Sequence, residues 1–399
     1  MAGARLGDRS LFPDLTPFAY LNHAAISAPS TPVRAAVQGW LSDYARLGVS
    51  AFPVWQAQRE RLRKKLAELV AAEPEDLALI PNTTQGVIDV ALCFPWRTGD
   101  RVVVFQGEFP ANVTPWLRAA ELYGLEPVML SLEAFQRSDD EGLADLEIAI
   151  RRGVRVVAVS AVEFQTGLRM PLRAIAALCH RHGAEVFVDG IQGCGATPVD
   201  VTNSGVDYLA CGSHKWLMGV EGAGFLYVRR DRVAALRPVV AGWLSHEDGL
   251  GFLFEGPGRL RYDRPIRKRA DFVEGGNYNG LSFAALEASL DLIRELGVPA
   301  IHAHVNGYLD ALEAGLLERG FVSLRSPTAA RRSGTLGVVP PERTSVVALH
   351  QALGLRGVSC SIPDGVLRFA PHWPNAHTEV PSVLAAIDEA MREPGVSAP

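Results

Sequence analysis

The sequence predicts an α/β protein built on a mostly parallel sheet, and three observations carry that prediction. Short β-branched runs alternate with helical patterns through the middle of the chain. Those runs are apolar throughout, as strands covered on both faces must be. Residues with chemical potential fall just past their carboxyl ends, where open parallel sheets bind ligands.

The elements follow in order. Ser30–Gly48 and Val54–Ala72 read as two helices feeding into the sheet. In the second, "RERLRKK" interleaves with Leu62, Leu66 and Leu69 at helical spacing, which predicts a solvated basic face. The strand runs are "RVVVF" (Arg101–Phe105), "EPVML" (Glu126–Leu130), "VRVVAVS" (Val154–Ser160), "EVFVD" (Glu185–Asp189) and "GFLYV" (Gly224–Val228). Between them lie segments such as "PLRAIAALCHRHG", with Pro171 suited to a helix start and Gly183 to its end. A Gly-, Arg- and Asp-rich connection runs from Leu244 to about Asp271, and long helices cover Ser282–Arg319. Shorter strands and helices then return, which predicts a second, smaller α/β domain. The expected division is an N-terminal arm 1–20, a large domain 21–290 and a small domain 291–399.

Composition narrows the function classes. The chain has 399 residues, 48% hydrophobic, with net charge −5, so no global charge points to nucleic acid or an anionic membrane. Five scattered cysteines without CxxC spacing fit a reducing compartment rather than a disulfide framework or structural zinc. No apolar run reaches the length of a membrane span, and "MAGARLGDRSLFPDL" lacks a signal-peptide core. The expectation is a soluble cytoplasmic protein with no metal site.

Three motifs carry chemistry. "CGSHKWLMGVEGAGFLYV" places Lys215 on a short loop past a strand, among small residues. "IPNTTQGVIDVA" is a strand end, a polar turn and a helix, so Thr83 and Thr84 either form an anion site or simply cap the helix. "VFVDGIQGCG" ends an apolar strand on Asp189, followed by Gln192. A carboxylate there needs a positive partner, either a metal or a protonated heterocyclic nitrogen, or it is structural. Pyridoxal 5′-phosphate uses all three features: a lysine for a Schiff base, a phosphate site, and an acid that keeps the ring nitrogen protonated.

"VDYLACGSHKWLMGVEGAG" closely resembles the lysine signature of class V aminotransferase-fold enzymes, the fold type I group of cysteine desulfurases, selenocysteine lyases, isopenicillin N epimerase and kynureninases. The resemblance runs in order over nearly the whole chain. "YLNHAAISAPS" resembles the N-terminal segment, "NTTQG" the phosphate turn and "EFPANVTPW" the ring-stacking segment. "VDGIQGCGATPVDV" is similar to the Asp-x-x-Gln strand end, and "LRFAPHWPNAHTE" to the C-terminal arginine stretch.

The resemblance implies a large domain with a seven-stranded, mostly parallel sheet between helices, a smaller C-terminal domain, and a homodimer with sites near its interface. It implies that Lys215 carries the cofactor and moves the Cα proton. Asp189 pairs with the ring nitrogen, Gln192 with the ring hydroxyl, and Phe109 stacks on the ring. Thr83, Thr84, Ser213 and His214 hold the phosphate, and Arg368 clamps the substrate carboxylate. Asn22 and His23 are placed near the substrate by position; His372 and His377 are weaker candidates. The chain departs from relatives in Gly212-Ser213-His214-Lys215, where many have Ser-Gly-His-Lys. It departs again in "EGGNYN", where Gly276 replaces a hydroxyl residue, so that Asn277 or backbone meets a partner's phosphate or the contact is lost.

Desulfurases use a mobile cysteine before the C-terminal arginine. Cys360 is the only cysteine in that region, and "GVSCSIPDGVLRF" reads as strand, turn, strand, which makes it a buried structural residue. The expected reaction is therefore β-elimination at a sulfur-bearing amino acid without a catalytic cysteine. Epimerisation ranks second; transamination, a decarboxylating or cyclising reaction of a natural-product pathway, or a non-catalytic fold relative follow. The aromatic segments "FPVW" and "PHWPN" are candidates for an apolar wall around a large substrate.

Overall fold

Strand β1 is Leu77–Ile80, β2 Arg101–Gln106, β3 Glu126–Ser131, β4 Val154–Ser160, β5 Glu185–Asp189, β6 Tyr208–Gly212 and β7 Gly224–Val228. They form one seven-stranded sheet in the order β3-β2-β4-β5-β6-β7-β1 in a computed structural model that describes residues 3–396. All neighbours run parallel except β7, which is antiparallel to both β6 and β1. Valines 102–104, 156, 157, 159, 186 and 188 are buried on both faces, which is why these runs do not alternate. Only β3, at the sheet edge, alternates towards solvent.

The sheet register brings the chemistry together. Ser160 lies opposite Asp189, and Asp189 opposite Ala210, so β4, β5 and β6 end side by side. Helix α1 is Thr31–Leu47, α2 Phe52–Val70, α3 Thr83–Cys93 and α4 Leu172–Arg181, the last followed by Gly183 at φ 76°. Helix α3 crosses closely over β6: a Cβ on Gly86 would stand 2.6 Å from the Ala210 side chain, so only glycine fits.

Helix α5 is Gly280–Leu296 and α6 Val298–Glu318, parted by Gly297 at φ 78°. The expected division at residue 290 falls inside α5, which ends at Gly297. Beyond it, β8 (Val322–Ser323), β9 (Leu336–Val339) and β10 (Leu367–Phe369) form an antiparallel sheet, with helices α7 (Val346–Leu355) and α8 (Val380–Met391). The N-terminal Ala19–Tyr20 pairs in parallel with Val358–Ser359, tying the first and last parts of the chain together.

The basic face of α2 is not wholly solvated. Arg59 and Arg63 are buried, and Glu274 from a distant loop sits between them. Glu274 accepts from Arg63 Nη1 (2.6 Å) and from the Leu79 backbone N–H (2.7 Å), and Arg63 also donates to the Leu77 carbonyl (2.7 Å). Helical spacing alone shows which side of a helix a residue is on. It does not show that a later loop will bring a carboxylate to cover it.

Candidate active site

A cleft of about 460 Å³ opens beyond the carboxyl ends of the strands, in the size range of small-molecule sites. Thr83, Thr84, Phe109, Asp189, Gln192, His214, Lys215 and Arg368 all line it, although they come from five separate parts of the chain.

Local structure positions each group. Asn82 caps α3, its side chain accepting from the Gln85 N–H (2.8 Å). That leaves the two threonines at the helix start, Thr83 buried and Thr84 exposed. The Thr83 hydroxyl accepts from the Gly212 N–H (2.8 Å), which fastens the helix N-terminus to the end of β6. The loop leaving β6 is held from several sides. Ser27 donates from Oγ to the Lys215 carbonyl (2.6 Å) and from its backbone N–H to the His214 carbonyl (2.7 Å). Met218 closes the loop in the left-handed region at φ 53°, its N–H bonded to the Lys215 carbonyl (2.9 Å).

Lys215 is 8% exposed, and its Nζ lies 5.2 Å from the Phe109 ring centroid. Burial pushes its amine down to about 8, with Asp189 opposing and Arg368 reinforcing the shift. Burial pushes the Asp189 carboxyl up to about 6, against a hydrogen bond from the Ile191 N–H (2.9 Å) and the charge of Lys215. Burial also lowers the pKa of His214, with the charge of Lys215 adding to it. Arg368 is pushed down to about 10 by burial, with Glu163 opposing. It donates from Nε to Ser361 Oγ (3.0 Å) and from Nη1 to the Phe164 carbonyl (2.6 Å). Three of its five N–H groups remain, enough for a paired grip on a carboxylate. Gln192 donates to the Ala24 carbonyl (3.1 Å) and accepts from Trp216 Nε1 (2.8 Å), leaving one amide N–H.

Three expected site residues do not reach the cleft. Ser213 is fully buried and donates to the Val220 carbonyl, because the turn after β6 points its hydroxyl back into the loop. Asn22 and His23 are displaced by the backbone pairing of the N-terminal segment. Asn22 bridges to Ala370, and the His23 N–H donates to the Ala370 carbonyl (3.1 Å). His23 is thereby sealed between the rings of Tyr20 and His372, with Nδ1 2.7 Å from Ser27 Oγ. It props the lysine loop through Ser27. The next residues, Ala24, Ala25 and Ile26, line the cleft instead.

His372 donates to the Trp216 carbonyl (2.9 Å) and His377 to the His304 carbonyl (2.9 Å), both outside the cleft. The aromatic wall also comes from elsewhere. Trp55 of "FPVW" stacks on Trp40, and Trp373 of "PHWPN" packs against Phe12. Phe164, which the sequence reading missed, faces the cleft beside Phe109. Its only sequence signal is a position a few residues past the end of β4. Asn277 is exposed, and neither it nor Gly276 lines the chain's own cleft.

The family model for class V aminotransferases matches residues 19–361. The chain belongs to that family, and its cofactor is pyridoxal 5′-phosphate. It is 28% identical over 397 residues to the uncharacterized aminotransferase YcbU of Bacillus subtilis (strain 168), covering 96% of each chain. It is 30% identical over 347 residues to a cysteine desulfurase of Dickeya dadantii (strain 3937), covering 84% of this chain and 77% of that one. Among solved structures it superposes on the cystine C–S lyase C-DES, in complex with its product cysteine persulfide. That match has a TM-score of 0.85 at 24% identity, over 94% of this chain and 98% of the other, a likeness of fold.

The residues present fit the cofactor. A desolvated lysine, a buried carboxylate with a single hydrogen bond and a helix N-terminus share one cleft of suitable size. Among the described residues no cluster could hold a metal ion, and no helix is long and apolar enough to cross a membrane.

Proposed function

We infer that the protein is a pyridoxal-phosphate-dependent C–S β-lyase that releases sulfur with its product. The observation that carries this reading is a cleft containing lysine, aspartate and arginine but, among the described residues, no cysteine. All five cysteines are buried. Burial pushes the Cys360 thiol up to about 12, so it offers almost no thiolate to accept sulfur.

Lys215 would attach the cofactor, Asp189 would face its ring nitrogen and Phe109 would cover its ring, with Thr83, Thr84 and His214 at its phosphate. When bound, the cofactor supplies an electron sink for charge developing at Cα. Arg368 would hold the substrate carboxylate and so orient Cα towards Lys215. The Lys215 amine, already lowered by burial, then takes the Cα proton. With the proton held at Lys215, a β-sulfur would be placed to leave as a thiolate and be protonated, and with one water the overall change gives the thiol, pyruvate and ammonia. His23 is sealed away from the cleft and so offers no second proton carrier for epimerisation, which favours elimination.

We read the functional unit as a homodimer. The exposed apolar group Trp243, Phe252, Leu253 and Phe254 supports this, being larger than isolated surface residues require. Sedimentation equilibrium should give twice the chain mass, and a monomer at micromolar concentration would refute it.

The activity test is incubation with S-substituted cysteines in heavy water, followed by NMR. Pyruvate with a released thiol or persulfide is expected. Deuterium at Cα with loss of optical purity and no keto acid would establish an epimerase instead.

A further inference from the structure

Apart from its charged groups, the two threonines, Asn82 and Gln192, the wall of the cleft is apolar. Lys215 and Asp189 face each other's charge, Arg368 is the carboxylate clamp, and His214 lies beside the helix N-terminus with the two threonines. What remains includes Ile26, Phe109, Ala111, Phe164 and Pro363. No further charged side chain lines the cleft among the described residues.

Phe164 joins the two halves of this arrangement. Its carbonyl accepts from Arg368 Nη1 (2.6 Å), so the residue is fixed by the clamp itself. Its ring meets Phe109 edge-on, with centroids 5.5 Å apart and planes at 80°, a favoured aromatic geometry. A substrate held by its carboxylate on Arg368 would lie next to Phe164, whose carbonyl the same guanidinium grips.

We propose that Phe164 and the neighbouring apolar wall select cysteine S-conjugates with an aryl or aralkyl substituent. The inference rests on the β-lyase reading above and names its substrate class. Cystine is the contrasting case, because its second half carries an ammonium and a carboxylate. Those charges would lose water against Phe164 and Pro363 without a partner. A benzyl group loses nothing polar there and gains apolar contact. The reaction is unchanged: the C–S bond breaks, the thiolate leaves and is protonated, and the carbon skeleton ends as pyruvate.

The test compares kcat/KM for S-benzyl-L-cysteine, S-methyl-L-cysteine and L-cystine on the holoenzyme, by pyruvate release. S-benzylcysteine should exceed both others by about 10- to 100-fold, a range typical of apolar-pocket discrimination. Phe164→Ala should reduce the benzyl-to-methyl ratio about tenfold, and Phe164→Leu should restore part of it. Ile26→Lys, at a position 49% exposed and so tolerant of charge, should shift preference towards cystine. Titration calorimetry gives a reading independent of turnover: 4-phenylbutanoate should bind at least tenfold tighter than the dicarboxylate suberate.

Pyruvate from cystine at a rate equal to or above S-benzylcysteine would overturn this inference and leave the β-lyase reading intact. Pyruvate from none of the three would remove the β-lyase reading and this inference with it. An unchanged benzyl-to-methyl ratio in Phe164→Ala would overturn the role of Phe164.

Discussion

Two groups of buried charges make an instructive contrast. Around Glu274, two arginines and a backbone amide answer one carboxylate, which is satisfied within the fold. Around Lys215, the charges are only partly answered. Asp189 accepts one hydrogen bond, from Ile191, and Arg368 donates only to a hydroxyl and a carbonyl. The first cluster locks α2 to the sheet. The second keeps polar capacity in reserve beside a cleft, at the cost of shifting the Lys215 amine to about 8 and the Asp189 carboxyl to about 6. Burial of charge alone therefore does not mark a functional site; burial with unmatched partners beside a cavity does.

The contrast breaks most visibly at Lys215. Lys215→Ala should cut turnover by about 10²- to 10⁴-fold, the usual contribution of a positioned proton carrier, with little change in melting temperature. A variant that unfolds instead would make Lys215 structural, like the arginines of α2. Glu274→Ala should do the reverse, costing about 3–5 kcal/mol of stability by leaving Arg59 and Arg63 buried and unpaired. Denaturant titration measures this, and a loss below 1 kcal/mol would show that the arginines find water instead.

His372 sharpens the comparison through pH. Burial pushes its ring down to about 4. The neutral form is therefore favoured in the fold, and its contribution is fully present above the unfolded value near 6.5. It is lost as pH falls from about 6.5 towards 4. The shift corresponds to about 3 kcal/mol. Melting curves across that window should show the loss, and His372→Gln should flatten it.

Asp189→Asn should lower turnover by about 10- to 100-fold, the weight of one charged hydrogen bond, while the cofactor remains bound. Near-normal rates would remove it from the chemistry. The smallest effect belongs to Cys360→Ala, which should leave turnover within twofold. A dead variant would return the reading to desulfurase chemistry.

Much of this was legible in the sequence because it depends on chain-local pattern. The apolar runs gave the strands, and the residues just past them, Phe109, Asp189 and Lys215, converge on one rim because a parallel sheet aligns carboxyl ends. What misled was side-chain direction within loops. Ser213 and His23 sit one or two residues from groups that line the cleft, yet a tight turn and a bridge to Ala370 turn them away. Phe164 was invisible for the opposite reason, since the distant Arg368 and Phe109 hold it in place. The Arg59–Arg63–Glu274 cluster likewise joins residues more than two hundred positions apart.

The most direct test of the central claim is to reduce the purified holoenzyme with borohydride, digest it and map the pyridoxyl label by mass spectrometry. The label should fall on Lys215 in the peptide containing Gly212-Ser213-His214-Lys215, and be absent from Lys215→Ala. A label on another lysine, or a chromophore that survives Lys215→Ala with full activity, would contradict the claim.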